Sequence, residues 1–127
     1  MNLRYLYLGL AILATTAAYA QTRHIILKNK ESITLRSFHI AKGCQSLAVG
    51  DPTLDILQKP EEVTVALSKH TQRIKGCFFR SLPSWNVVAR AKDVKEKKNA
   101  KLVVRIKFKT KTGVHQVANT YNVSLYP

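Results

Sequence analysis

The ten residues from Lys101 to Thr110, KLVVRIKFKT, have less freedom than any other stretch of this chain. Leu102, Val104, Ile106 and Phe108 fall on one side of an extended backbone, while Lys101, Arg105, Lys107 and Lys109 fall on the other with Val103. Such a period of two puts one face against a core and the other in water, so the segment reads as a half-buried strand with a basic outer face. The C-terminal stretch repeats the pattern, with Val117, Tyr121, Val123 and Leu125 opposite Ala118, Thr120, Asn122 and Ser124. Thr110-Lys111-Thr112-Gly113 joins the two, and Gly113 can take positive φ at low cost, so the pair is expected to be a hairpin.

Upstream, turn-forming residues recur at short intervals: Asn29-Lys30, Lys42-Gly43, Gly50-Asp51-Pro52, Lys59-Pro60, Lys75-Gly76 and Leu82-Pro83-Ser84. Between them lie short β-branched or aromatic runs at His24–Lys28, Ile33–Ile40, Pro52–Lys59, Val63–Leu67 and Trp85–Ala91. The run from Ile33 changes phase near Ser37, which predicts a bulge there. Lys92–Ala100 has apolar spacing too sparse for a helix, and Lys92–Lys101 reads as an exposed loop. The expected fold is all-β: an Ig-like antiparallel β-sandwich of about seven strands with one disulfide.

The first residues read as an export signal. Met1–Arg4 carries one positive charge, Tyr5–Ala14 is an uncharged apolar run, and Ala18-Tyr19-Ala20 is a small-x-small cleavage pattern. The apolar run is too short for a bilayer span, which takes roughly 20 residues. Residues 1–20 are thus expected to be a signal peptide cleaved after Ala20, leaving 21–127 as a single basic domain in a secreted or periplasmic setting. An oxidising compartment would bridge the two cysteines, Cys44 and Cys77.

The chain has 21 Lys or Arg against 7 Asp or Glu, a net charge of +14. Ten of the basic residues lie between Ala89 and Pro127, with only Asp93 and Glu96 opposing them. A field of that sign attracts anionic polymers, lipid headgroups and acidic proteins. The candidate anion-contacting set is Lys92, Lys95, Lys97, Lys98 and Lys101 in and after the loop, with Arg105, Lys107 and Lys109 on the strand. Nucleic acid is disfavoured, because Phe108 and Tyr121 fall on the predicted inner face and cannot stack bases.

No constellation in the sequence carries catalysis. His24, His39, His70 and His115 are scattered without metal-ligand spacing. Ser68 and His70 lack an oxyanion loop, and Asp51, Asp55, Glu61 and Glu62 read as solvated turn residues. No cofactor or metal is expected. The aromatic concentration at Cys77–Trp85 gives a candidate partner-binding set of Phe78, Phe79, Arg80 and Trp85, since exposed aromatics beside Arg anchor interfaces. For Trp85 core packing is the favoured reading, and the contact reading stays open beside it.

Cys44-Gln45-Ser46-Leu47, then Pro52-Thr53-Leu54 with Ile56, the Pro60–Val65 turn and Cys77, resemble small secreted two-cysteine Ig-like proteins of alphaproteobacteria. That resemblance spans roughly Ile33–Leu125 and implies an Ig-like or cadherin-like sandwich outside the cytoplasm, with no activity attached. Glu61-Glu62 stands where those proteins carry Gly after the Pro, and Trp85 follows the second Cys, unlike antibody domains. A basic signal-bearing chain of this size also resembles secreted effectors of host-associated bacteria. The functional expectation is a non-enzymatic module acting by protein contact, host-directed in the effector reading; the alternative is a binder of anionic envelope polysaccharide or lipid headgroups.

Overall fold

A computed structural model describes residues 22–73, 76–77 and 80–127. Among the described residues nine strands follow one another: β1 (Thr22–Lys28), β2 (Ser32–Phe38), β3 (Ala41–Lys42), β4 (Gln45–Ser46), β5 (Thr53–Gln58), β6 (Val63–Arg73), β7 (Ser81–Ala91), β8 (Lys98–Thr110) and β9 (Gly113–Tyr126). One sheet has the order β1-β9-β8-β5 and the other β2-β7-β6, while β3 and β4 form a small ribbon. The seven long strands thus make a four-on-three sandwich, the Ig-like arrangement expected from the alternation.

Burial follows the period of two. Leu102, Val104 and Ile106 on β8 and Tyr121, Val123 and Leu125 on β9 point inward and are almost wholly buried. They meet Val63, Val87, Ala89 and Ala91 of the opposite sheet, with Leu27 and Leu35 at the seam. A fully buried aliphatic side chain contributes roughly 1.5–3 kcal/mol, so this two-sided apolar layer holds the sheets together. The β8–β9 turn is the two-residue Lys111-Thr112 loop, and Gly113 has φ +127°.

Four details depart from the expectation. β1 pairs with β9 in parallel, Thr22 opposite Thr120 through Lys28 opposite Tyr126. A parallel pair needs a long connection, and here the whole domain serves as one. The β2 bulge sits between Thr34 and Arg36, where Leu35 turns into the core, ahead of Ser37. The Lys92–Lys97 loop is not simply solvated: Val94 is buried, and its N–H donates to Asn29 Oδ1 at 3.2 Å. Val117, expected inside, is 37% exposed. It belongs to the half of β9 that precedes Thr120, beyond the reach of β1.

The disulfide is formed. Cys44 at the tip of the β3–β4 ribbon is bonded to Cys77 in the β6–β7 connection, 33 residues on. The ribbon extends to Ile40 and Leu47, and Ile40, Cys77 and Leu82 are buried there outside the main core cluster.

Candidate functional site

The sandwich has two dissimilar ends. At one lie the Lys92–Lys97 loop, the start of β8 and the end of β9; at the other lie the β8–β9 turn, the β3–β4 ribbon, the disulfide and the start of β7. Arg80 and Lys92 flank the eleven residues of β7, which at the usual rise separates them by roughly 35 Å. An aromatic contact at Cys77–Trp85 rimmed by the lysine loop therefore does not exist as one surface.

Trp85 settles in the core at 3% exposure, with its ring stacked on Phe38 at 5.8 Å between centroids. Lys69 Nζ covers it at 5.9 Å. The reason is register: Trp85 lies opposite Phe38 on β2 and Lys69 on β6, with its side chain turned toward the other sheet. This corrects the contact reading of Trp85. Arg80 is exposed, and Phe78 and Phe79 lie outside the described residues, as does the segment 1–20 that the sequence predicts to be a signal peptide.

The basic residues are divided. Lys101, Arg105, Lys107 and Lys109 do share the outer face of β8, as the alternation predicts. Arg105 and Lys107, however, are both held by Asp55 on β5, at 3.1 and 3.4 Å. Their hydrogen bonds keep the Asp55 carboxyl below its ordinary pKa. Lys98 is paired with Glu62 at 3.0 Å, which lowers the Glu62 pKa in the same way. Lys97 sits over the Tyr126 ring at 5.2 Å. Around the loop, a hollow of about 750 Å³ is lined by Lys92, Lys95, Lys97 and Lys98 but equally by Glu61, Glu62, Asp93 and Glu96. Positive and negative groups balance there. Sequence reading took Asp55 and Glu62 as solvated turn residues; cross-strand register turns them into partners for the cations.

At the opposite end the two sheets part along the side where β2 and β9 are edges. The cleft between them, about 440 Å³, is floored by Phe38, Ile40, Ile106 and Phe108 and flanked by Leu47 and Val117. Its polar rim is Arg36, His39, Thr110, Thr112 and His115, and no acidic residue lines it. His115 stacks on Phe108 at 5.1 Å and Nε2 lies 3.0 Å from Thr110 Oγ1. Burial pushes the pKa of the Tyr121 hydroxyl up, against the opposing charges of Arg23, its neighbour on β1, and Arg36. Leu47 and Val117 at its flanks are 41% and 37% exposed. Sequence reading missed this cleft. Its one signal was Val117, an apolar residue on the inward phase of a strand, close to the turn and without a charged neighbour.

Among the described residues no cluster of three or more His, Cys, Asp or Glu could hold a metal; His39 and His115 meet at the cleft rim as a pair. No helix of the described residues is long and apolar enough to cross a membrane.

No protein-family model and no curated protein matches the chain. Among solved structures it is similar to the 2,6-sialyltransferase of Vibrionaceae Photobacterium sp. JT-ISH-224, crystallised in a ternary complex with CMP and lactose. The TM-score is 0.37 at 7% identity, over 84% of this chain and 17% of that one. A likeness this slight says nothing of activity.

Proposed function

We propose that this chain is an exported, non-enzymatic binding protein that works by protein contact through the cleft at its hairpin end. The observation that carries the reading is the cleft itself: an apolar floor open to solvent, flanked by exposed Leu47 and Val117. Contiguous apolar surface with a polar rim is typical of contact sites, and its desolvation supplies affinity that salt does not erase. Export is supported by the Met1–Ala20 pattern and by the Cys44–Cys77 bridge, which suits a secreted or periplasmic protein. The anionic-ligand alternative loses support at the loop, where four lysines face four carboxylates.

The test is cross-linking capture from the extract of a host or envelope preparation, with three proteins compared at low and high salt. Wild type and Lys95→Glu/Lys97→Glu should capture the same partner, and Leu47→Asp/Val117→Asp should lose it with an unchanged melting temperature. Capture that survives the cleft changes but fails in the loop variant, and collapses with salt, would hand the function to anionic ligands.

A further inference from the structure

β9 is covered on only part of its outer side. β1 pairs with it from Thr120 to Tyr126, and among the described residues no strand pairs with that edge from Gly113 to Asn119. Val114 through Ala118 are all exposed. The direction of the backbone groups follows from the turn. With two residues between Thr110 and Gly113, these two must exchange the closing hydrogen bonds, and the register runs unbroken from there. The N–H and C=O groups of Val114, Gln116 and Ala118 therefore point away from β8, toward the open side. The same parity makes Tyr126 point outward, and its carbonyl does accept from Asn29 N–H at 2.8 Å.

Other edges of this molecule carry protection. β5 and β2 are broken by bulges at Ile56/Gln58 and Thr34/Arg36. β6 carries Lys69 and Arg73. On β8, the carbonyl of Lys109 beyond the start of β5 is capped by Val49 N–H at 2.8 Å. Bulges, charges and covering loops are the devices that keep edges from pairing with foreign strands. The Gly113–Asn119 edge has no bulge, no proline, no lysine and no cover among the described residues. It also borders the apolar cleft. Asn119, at its inner limit, has a buried side-chain Nδ2 with no hydrogen-bond partner.

We infer that the cleft receives an extended segment of a partner protein by strand addition to β9, in line with β1. The inference rests on the contact reading above. Seven open residues correspond to roughly 24 Å of strand. Alternate side chains of the added strand enter the cleft onto Phe38, Ile106 and Phe108, which calls for apolar residues at every second position. The remaining positions project from the outer face of the sheet, the face that carries Lys107 and Lys109 on β8 with Lys109 opposite Val114, so they suit carboxylates. The partner is an acidic, β-prone segment.

The probe is a blocked, fluorescently labelled peptide of about nine residues alternating valine and glutamate, with a valine–lysine peptide as control. Binding is read by anisotropy, and amide exchange is followed residue by residue. The glutamate peptide should bind at least about tenfold more tightly than the lysine one, and should slow exchange at Val114, Gln116 and Ala118 by about tenfold or more. Gln116→Pro removes only an outward N–H, so the hairpin keeps its bonds to β8 while peptide binding falls about tenfold or more. Lys109→Glu should weaken the glutamate peptide and improve the lysine one. Binding that Val117→Asp abolishes and Gln116→Pro leaves whole would overturn strand addition yet keep a side-chain contact in the cleft. Binding untouched by both variants would overturn the contact reading as well. Absence of binding, or slow exchange at these amides before any peptide is added, would also overturn the inference; the latter would mean that the chain's own N-terminal residues or a second copy fill the edge.

Discussion

The two ends of this sandwich are built from the same strands and differ in what closes them. At the loop end, Val94 is pressed into the core, Lys98 is tied to Glu62, and Leu27, Val63 and Leu125 have no solvent exposure. At the hairpin end, β9 runs on past the start of β1, Phe108 and Val117 lose their cover, and a cleft opens between the sheets. The charged loop that draws attention in the sequence closes the tight end. The open end is a small apolar surface with few charges. Charge density marks where a protein is solvated; unpaired backbone beside apolar side chains marks where it can still gain contacts.

The contrast can be broken or sharpened by substitution, beginning with the strongest effect. Trp85→Ala should cost about 3–5 kcal/mol, because removing a buried indole from beneath Phe38 and Lys69 leaves a large cavity. Thermal or urea unfolding measures this. A cost under about 1 kcal/mol would mean that the hairpin end is loose throughout and not only at its mouth.

Cys44→Ser/Cys77→Ser should cost up to about 3.5–4 kcal/mol by the chain-entropy estimate for a loop of 33 residues. The loss should concentrate at the hairpin end. Amides of the β3–β4 ribbon should exchange faster in the variant while those of Val123 and Leu125 keep their protection relative to global opening. Uniform loosening would show that the bridge supports both ends equally.

Val94→Ala should cost about 2 kcal/mol, since its buried methyl groups anchor the loop. Calorimetry checks it. A neutral result would return the Lys92–Lys97 loop to plain solvation, as the sequence suggested.

Acid should release β5 from β8. Asp55 is held below its ordinary pKa first by hydrogen bonds from Arg105 and Lys107, so its stabilising effect is full above the unfolded pKa and is lost as pH falls through the lower, folded one. Asp55→Asn should therefore lower stability slightly at neutral pH and leave it unchanged in strong acid, which flattens the profile through the acid range below about pH 4. A profile that keeps its wild-type shape would show that the pair is too solvated to matter. The smallest effect belongs to Lys95→Glu with Lys97→Glu, expected within about 0.5 kcal/mol of wild type for each change.

What could be read in advance follows from the period of strands. Leu102, Val104, Ile106, Tyr121, Val123 and Leu125 point inward because alternation leaves no other way to bury them, and the two-residue turn before Gly113 follows from the same pattern. The pairing of Cys44 with Cys77 needed only that there be two cysteines. The candidate site was far less legible. Trp85 among aromatics and Arg80 looks like a contact patch, and only the register that sets it opposite Phe38 and Lys69 turns it inward. Lys92 and Arg80 sit twelve positions apart in sequence, yet one strand carries them to opposite ends.

The sequence by itself determined an all-β chain with a basic outer face on β8 and a bridged cysteine pair, because alternation and local turn chemistry act over a few residues at a time. Only the tertiary structure decided that β1 lies parallel to β9 and meets it at Thr120, that Asp55 and Glu62 hold the cations, and that Gly113–Asn119 is left bare beside a cleft. Strand pairing between residues a hundred positions apart depends on how whole sheets stack, and no local pattern encodes where such a pairing begins.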